Sequence, residues 1–331
     1  MTVIVPVFNE ERWIGQTLSR LQAAATQAPD LALDVIVVDD GSTDGTVEAV
    51  NEAAVTFSCT VISQRNSGRV AARMRGLAEA AGDLVLFLDS RVALDAGALA
   101  FVEARLRGDP EDAIWNAHVR IDTEGNPYGR FWNVLTEIAW SEYFDDPRTV
   151  YFDSSNFEAY PKGTTCFLVP RELALSTIGS HRSYYLDSRN AADDTPMIRA
   201  IAERHRVGIS PGFSCTYSPR SAFRPFVRHA YQRGIFFLDG HGRRGSRLLP
   251  VAAAFYPVSA LLALVSVRRP SAGLLALGAL GAGAGALSIA KNRTPAETSA
   301  FATLAPVYAV AHGLGMWRGL LLAARAKARS S

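Results

Sequence analysis

The chain has 331 residues, 34 Lys plus Arg against 32 Asp plus Glu, and three cysteines without C-x-x-C spacing. That length holds one large α/β domain with an appendage, or two domains. The formal charge of +2 gives no bulk electrostatic basis for binding nucleic acid, and the scattered Cys59, Cys166 and Cys215 argue against a zinc site or a disulfide framework.

Residues 2–7, TVIVPV, form an apolar run expected as a buried strand. A helix follows, with Asn9 as its expected N-cap and Trp13, Ile14, Leu18 and Leu21 at helical spacing. VIVVDDGSTDGT, residues 35–46, then carries a second strand straight into two adjacent carboxylates, Asp39 and Asp40, and a turn. Asp44 reads as a turn or cap residue of the next helix. CTVISQ is a third strand, NSGRVAARMRGLAEAA a loop entering a helix, and DLVLFLDS a fourth strand; Asp95 in LDAGAL reads as a helix N-cap.

Strands alternating with helices imply a parallel, doubly wound sheet buried on both faces. Ligands of such sheets gather beyond the carboxyl ends of the strands. The FNE cluster after strand one, Asp39–Asp40 after strand two and Asp89 after strand four are therefore expected on one rim. No G-x-G-x-x-G follows strand one, which argues against a dinucleotide site. NSGR instead leads into a helix N-terminus, whose N–H groups suit phosphate.

Further on, AADDTPMIRAIAE places Asp193 and Asp194 just before a helix with Pro196 in its first turn. Arg220, Arg224, Arg228 and Arg233 recur across PRSAFRPFVRHAYQRG. They read either as a clamp for an acceptor's phosphates or as an interfacial helix resting on anionic lipid. The histidines show no metal-ligand spacing.

From Leu249 the composition turns to Ala, Leu, Gly and Val in three runs, Leu249–Val267, Ala272–Ala290 and Phe301–Ala323. Crossing a hydrocarbon core needs roughly 20 apolar residues, which these runs approach or reach. The third contains His312 and Arg318, so two or three spans are expected. The glycines of the second run suit close helix packing in lipid. The expected division is residues 1–245 as the soluble domain and 246–331 as the membrane region. By the positive-inside rule, the basic residues flanking the region favour a cytoplasmic N-terminal domain. The chain opens directly into a strand, with no signal-peptide pattern.

The order VIVPVFNEE, VIVVDDGSTDGT, NSGRVAARMRG, AAGDLVLFLDS resembles the inverting nucleotide-sugar glycosyltransferases of family 2. The resemblance is strong over residues 1–100 and weaker to 234. With the apolar C-terminal segments, it looks most like bacterial membrane enzymes that extend lipid-linked sugars for exopolysaccharide. It implies a GT-A-like α/β fold, a doubly wound mostly parallel sheet followed by C-terminal transmembrane helices. It also implies that Pro6, Phe8 and Glu10 line the base and ribose pocket, that Asp39 and Asp40 read the nucleobase edge and ribose, and that Gly68 and Arg73 face the nucleotide and its diphosphate. Met74 stands where the family commonly has Asn. Asp193 and Asp194 match the family's Glu-Asp pair, with Asp194 as the general base that inversion in one displacement requires.

The family's D-x-D, whose last carboxylate holds Mg²⁺ or Mn²⁺ on the donor diphosphate, reads here as LDSRV. Asp89 is retained and Arg91 replaces the second carboxylate. Two consequences are open: a divalent cation held by Asp89 with help from elsewhere, or Arg91 itself facing the diphosphate. The processive Q-x-x-R-W motif is absent, with Gln232, Arg233 and Gly234 near its place.

The expected function is an inverting, membrane-anchored, cytoplasm-facing glycosyltransferase. It would move a sugar from a nucleoside diphosphate donor to a lipid-linked or membrane-proximal acceptor, with Arg224, Arg228 and Arg233 as candidate acceptor or phosphate contacts. The alternatives are a polyprenyl-phosphate glycosyltransferase and a non-catalytic nucleotide-binding membrane subunit of a polysaccharide assembly machine.

Overall fold

The structure, a computed structural model, describes residues 1–53, 59–179, 183–185, 194–242, 246 and 248–330. In chain order it begins β1 (Thr2–Val7), α1 (Ile14–Ala25), β2 (Asp34–Asp39), α2 (Thr46–Ala53), β3 (Cys59–Ser63), α3 (Arg69–Glu79), β4 (Leu84–Leu88). It continues β5 (Val92–Leu94), α4 (Ala98–Gly108), β6 (Trp115–Ile121), α5 (Pro127–Ala139), α6 (Ser141–Phe144), β7 (Val150–Phe152), β8 (Cys166–Pro170). After α7 (Arg171–Thr177), α8 (Asp194–Ala202) and β9 (Val207–Tyr217) come four helices, α9 (Phe223–His241), α10 (Leu249–Arg268), α11 (Pro270–Ala290) and α12 (Pro295–Ser330). The chain divides into two compact units: Met1–Arg120, Glu142–Arg182 and Asp193–Ser218 form the first, and Ile121–Ser141, Ser183–Ala192 and Pro219–Ser331 the second.

In the first unit the described residues form a nine-stranded mixed sheet, ordered β3-β2-β1-β4-β8-β6-β9-β5 with β7 also on β9. The four strands expected from the sequence are its parallel part, in register Val3↔Val35, Val35↔Cys59 and Ile4↔Phe87. Pro6 is tolerated inside β1 because the ladder to β4 has already ended at Ile4, so its missing N–H breaks no bond there. Beyond β4 the pairing turns antiparallel, β8 on β4 and β9 on both β5 and β7.

Both faces of the sheet are covered, which explains why the strands read as unbroken apolar runs. One core joins Val3, Val5, Val37, Leu86 and Leu88 to Ile14, Leu18 and Leu21 of α1. The other joins Ile4 and Phe87 to Leu77, Phe157, Ile198 and Ile201, so α8 is docked by its apolar face. Gly76 lets α3 lie on the sheet, since a Cβ there would come within 2.5 Å of Ile4 Cγ2.

Two capping expectations are corrected. α1 starts at Ile14, not after Asn9; Asn9 adopts φ 55° and turns its side-chain oxygen to the Thr43 N–H at 2.8 Å. Asp95 caps no helix. Its carboxylate pairs with Arg120 at 2.7 Å and accepts from Ser214, because β6 and β9 bring these partners to it.

In the second unit, Asn126 caps α5 by accepting from the N–H groups of Tyr128 and Gly129, with Pro127 at the first helical position. Phe131 and Val134 of α5 pack with Phe226 of α9 and Phe301 and Ala305 of α12. Arg293, in the turn after α11, pairs with Glu137 of α5. α9 and α12 touch backbone to backbone: a Cβ on Gly234 would meet the His312 carbonyl, and one on Gly315 the Tyr231 carbonyl, each at 2.0 Å. Gly315 and Gly319 form the small-x-x-x-small spacing that permits such an approach. The helices α10, α11 and α12 are each long and apolar enough to cross a membrane. Leu261, Leu264, Val267, Leu274, Leu275 and Ile289 are exposed on them.

Candidate active site

The rim expected from the sequence forms at the carboxyl ends of β1, β2 and β4, and its loops are laced together. The Asn9 N–H donates to Ser42 at 2.9 Å, the Glu10 N–H to Thr46 Oγ1 at 2.8 Å, and the Gly45 N–H to Glu11 at 2.8 Å. Asp44 accepts from the Thr46 N–H, so it is a turn residue here. These bonds hold the β1–α1 loop against the β2–α2 loop, where Asp39 and Asp40 stand nearly buried.

The two aspartates have different local duties. Asp39 Oδ1 accepts from the Ser42 N–H at 2.9 Å, inside its own turn. Asp40 holds the following loop: Oδ1 accepts from Gln64 Nε2 and the Ser67 N–H, and Oδ2 from the Gly68 N–H, all at 2.8 Å. Two of the N–H groups that NSGR offers are therefore engaged by Asp40. Gly68, at φ 92°, makes the turn that aims its N–H there.

Two ion pairs complete the rim. Arg73, only 2% exposed on α3, reaches Asp89 Oδ1 at 2.9 Å. Arg91 reaches Glu10, with Nε 2.7 Å from Oε2 and 2.9 Å from Oε1. Its guanidinium also lies 5.3 Å from the centre of the Trp13 ring. Phe8, two residues before Glu10, is 45% exposed, and Pro6 is buried in β1. Sequence reasoning missed Trp13 as a site residue. Its spacing fits a helix face, and its position next to the FNE cluster is the available signal.

Asp194 is the first residue of α8; Asp193 lies outside the described residues. α8 is tied down by a cluster with no local sequence signal. Arg199 pairs with Glu158 at 2.7 Å and stacks on Phe157, with its guanidinium 4.3 Å from the ring centre. The buried Lys162 ammonium sits 4.1 Å from the same ring and donates to the Tyr160 carbonyl at 2.9 Å. Burial pushes the Lys162 ammonium down to about 8. In the second unit, Arg224, Arg228 and Arg233 are exposed on α9.

The arrangement offers carboxylates and guanidinium groups to a polar, anionic ligand at the strand ends. It does not offer a cage for a cation. Asp89 Oδ1 is engaged by Arg73, Arg91 occupies the place of the second carboxylate, and Glu10 is committed to Arg91. Among the described residues no group of three or more His, Cys, Asp or Glu side chains could hold a metal.

Comparison with known proteins gives the family and the fold. The family model described as Glycosyl transferase family 2 matches residues 2–174. The undecaprenyl-phosphate 4-deoxy-4-formamido-L-arabinose transferase of Aeromonas hydrophila is 40% identical over 93 residues, 27% of this chain and 28% of that protein. The protein of the same name from Pseudomonas aeruginosa is 36% identical over 93 residues, 27% of each chain. The matched stretch is thus under a third of the length of these relatives. Among solved structures, S. aureus TarS 1-349 in complex with UDP-GlcNAc aligns with TM-score 0.52 and 16% identity, over 93% of this chain and 90% of that one. The mannosyltransferase PcManGT from Pyrobaculum calidifontis, in complex with GDP-Man and Mn²⁺, aligns with TM-score 0.55 and 21% identity, over 96% and 86%. At these identities the structural likenesses establish the fold.

Proposed function

We propose, for a chain that belongs to glycosyl transferase family 2, that it transfers a sugar with inversion from a nucleoside diphosphate donor to a lipid-linked or membrane-proximal acceptor. The observation that carries this reading is the convergence of Glu10, Asp39, Asp40, Arg73, Asp89 and Arg91 on the strand-end rim. The nucleotide lies along that rim, its base and ribose toward Phe8, Asp39 and Asp40. The laced loops hold these groups in place before the ligand arrives, so little ordering is left to binding.

Asp194, at the start of α8, takes the proton of the acceptor hydroxyl as the sugar carbon is attacked opposite the leaving diphosphate. The apolar face of α8 and the Arg199–Glu158 pair in its last turn dock the helix that Asp194 begins. A divalent cation, as in the PcManGT complex, would neutralise the leaving diphosphate when bound. Of the D-x-D pattern this chain keeps only Asp89, and its surroundings do not build a metal site. Arg91, seated on Trp13, is the group that faces the diphosphate in this reading.

A second reading is favoured by the names of the relatives. An undecaprenyl-phosphate acceptor fits a chain whose C-terminal helices are long and apolar enough to lie in a bilayer. Such a phosphate needs little deprotonation, so Asp194 would matter less. The enzyme would sit in the cell membrane with its catalytic unit in the cytoplasm, where nucleotide sugars are at hand. The test is transfer of labelled sugar from UDP- and GDP-linked donors to undecaprenyl phosphate or to a lipid-linked saccharide, by the full chain in lipid. Label entering the lipid phase supports the reading; nucleotide binding without transfer overturns it.

A further inference from the structure

The three arginines of α9 do not form one surface. At about 100° per residue, Arg224 and Arg228 share a face, while Arg233 lies roughly opposite Arg224. Arg233 is also the one with a built environment. Its guanidinium lies 5.1 Å from the centre of the Trp132 ring and stands near the Tyr308 hydroxyl. Trp132 meets Tyr308 edge-on with ring centres 5.5 Å apart, and His312 stacks on Tyr308 at 5.0 Å. α5, α9 and α12 thus contribute one side chain or more each to a single aromatic seat, and its cation is still exposed.

Among the described residues this seat has no carboxylate counter-charge. Arg73, Arg91, Arg105, Arg120 and Arg199 each have a carboxylate oxygen within 2.9 Å. Among the described residues, no carboxylate lies within 4.0 Å of Arg233. A ring face and a hydroxyl attract a guanidinium but do not neutralise it. The unit around it presents bare Leu, Val and Ile on three membrane-length helices. Arg233 stands on α9, beside these helices and not within one, and its exposure leaves its outer N–H groups open to an anion from outside the chain. A guanidinium held flat on a ring presents its outer N–H groups as a fork that matches two phosphate oxygens.

We propose that Arg233, seated on Trp132 and Tyr308, binds the phosphate group of a membrane lipid. Two lipids carry that chemistry, an anionic phospholipid of the bilayer and a polyprenyl phosphate. The polyprenyl case rests on the transfer reading above; the phospholipid case does not.

The test is native mass spectrometry of the full chain in detergent, titrated separately with undecaprenyl phosphate and with phosphatidylglycerol. The wild type is expected to retain one added lipid saturably, and Arg233→Gln to weaken that retention about tenfold, the scale of a lost charge-assisted hydrogen bond. Arg233→Lys, which keeps the charge and loses the fork, is expected to weaken it about threefold. It also decides the matter if the Gln variant does not fold. Arg268→Gln, at the last residue of α10, should stay within about twofold of wild type, since no seat surrounds it. Arg233-dependent retention of undecaprenyl phosphate assigns the seat to an acceptor. Arg233-dependent retention of phosphatidylglycerol alone upholds the seat, assigns it to the bilayer, and leaves the transfer reading standing. Equal retention by wild type and Arg233→Lys with both lipids overturns the proposal.

Discussion

Arg91 and Glu10, 81 positions apart, meet at the strand-end rim with Nε 2.7 Å from Oε2, their side chains 15% and 8% exposed. Losing one partner leaves the other charged and largely desolvated, which is worse than losing both. A double-mutant cycle with Glu10→Gln and Arg91→Gln, read by chemical or thermal unfolding of the purified chain, should return a coupling of about 1–3 kcal/mol. Additive single effects would mean that the pair does not form.

The rim also predicts a weak response to chelation. Because Arg91 stands in the place of the second D-x-D carboxylate and Asp89 Oδ1 is held by Arg73, EDTA should lower nucleoside diphosphate binding by less than about threefold. Arg91→Gln should lower it by about tenfold or more, the loss expected for a charged hydrogen bond. Isothermal titration with UDP and GDP, with Mn²⁺ or with EDTA, measures both. A wild-type requirement for Mn²⁺ would assign the diphosphate to a metal at Asp89 and take that role from Arg91.

Lys162 makes a pH prediction. Its folded value is about 8 against an ordinary 10.5, chiefly through burial. Between these values the unfolded chain holds a proton that the folded chain has shed, so stability rises with pH across that window. Below pH 8 the buried charge is a standing cost, of at most about 3 kcal/mol. Melting temperatures of wild type and Lys162→Met should therefore converge, or cross in favour of wild type, from pH 7.5 to 10. A constant difference would contradict the burial of a charged Lys162.

The contact of α9 with α12 depends on glycine. Gly315→Leu must push the helices apart, since even a Cβ would sit 2.0 Å from the Tyr231 carbonyl. It should cost several kcal/mol or abolish the folded yield. Gly278→Ala, with nothing within 4 Å, should be neutral or stabilising by up to about 1 kcal/mol. Thermal unfolding in detergent separates the two; similar melting points would contradict the close packing.

What could be read from the sequence was local. Four apolar runs ending in polar clusters gave strands, sheet type and a rim, because residues in a doubly wound sheet are buried whatever pairs with them. The antiparallel strands β5 to β9 were not legible in this way: Trp115 and Cys215 enter the same core from strands a hundred positions apart. Asp95 looked like a cap because its sequence neighbours suit one, and only β6 and β9 supply the partners that claim it. Glu10 was legible as a polar rim residue, but its engagement by Arg91 was not. α5 was equally hidden: its amphipathic face is plain, yet Phe301 and Tyr308, which cover it, lie about 170 positions further on.

The most direct test is transfer itself. The full chain in lipid would be given labelled UDP- and GDP-linked sugars and a lipid-linked saccharide, beside Asp194→Asn. The account predicts label in the lipid phase, diphosphate released in equal amount, and a fall of about a hundredfold or more in the variant, the scale of lost general-base catalysis. Nucleotide binding with no label moved to any lipid, or an Asp194→Asn variant as fast as wild type, would contradict it.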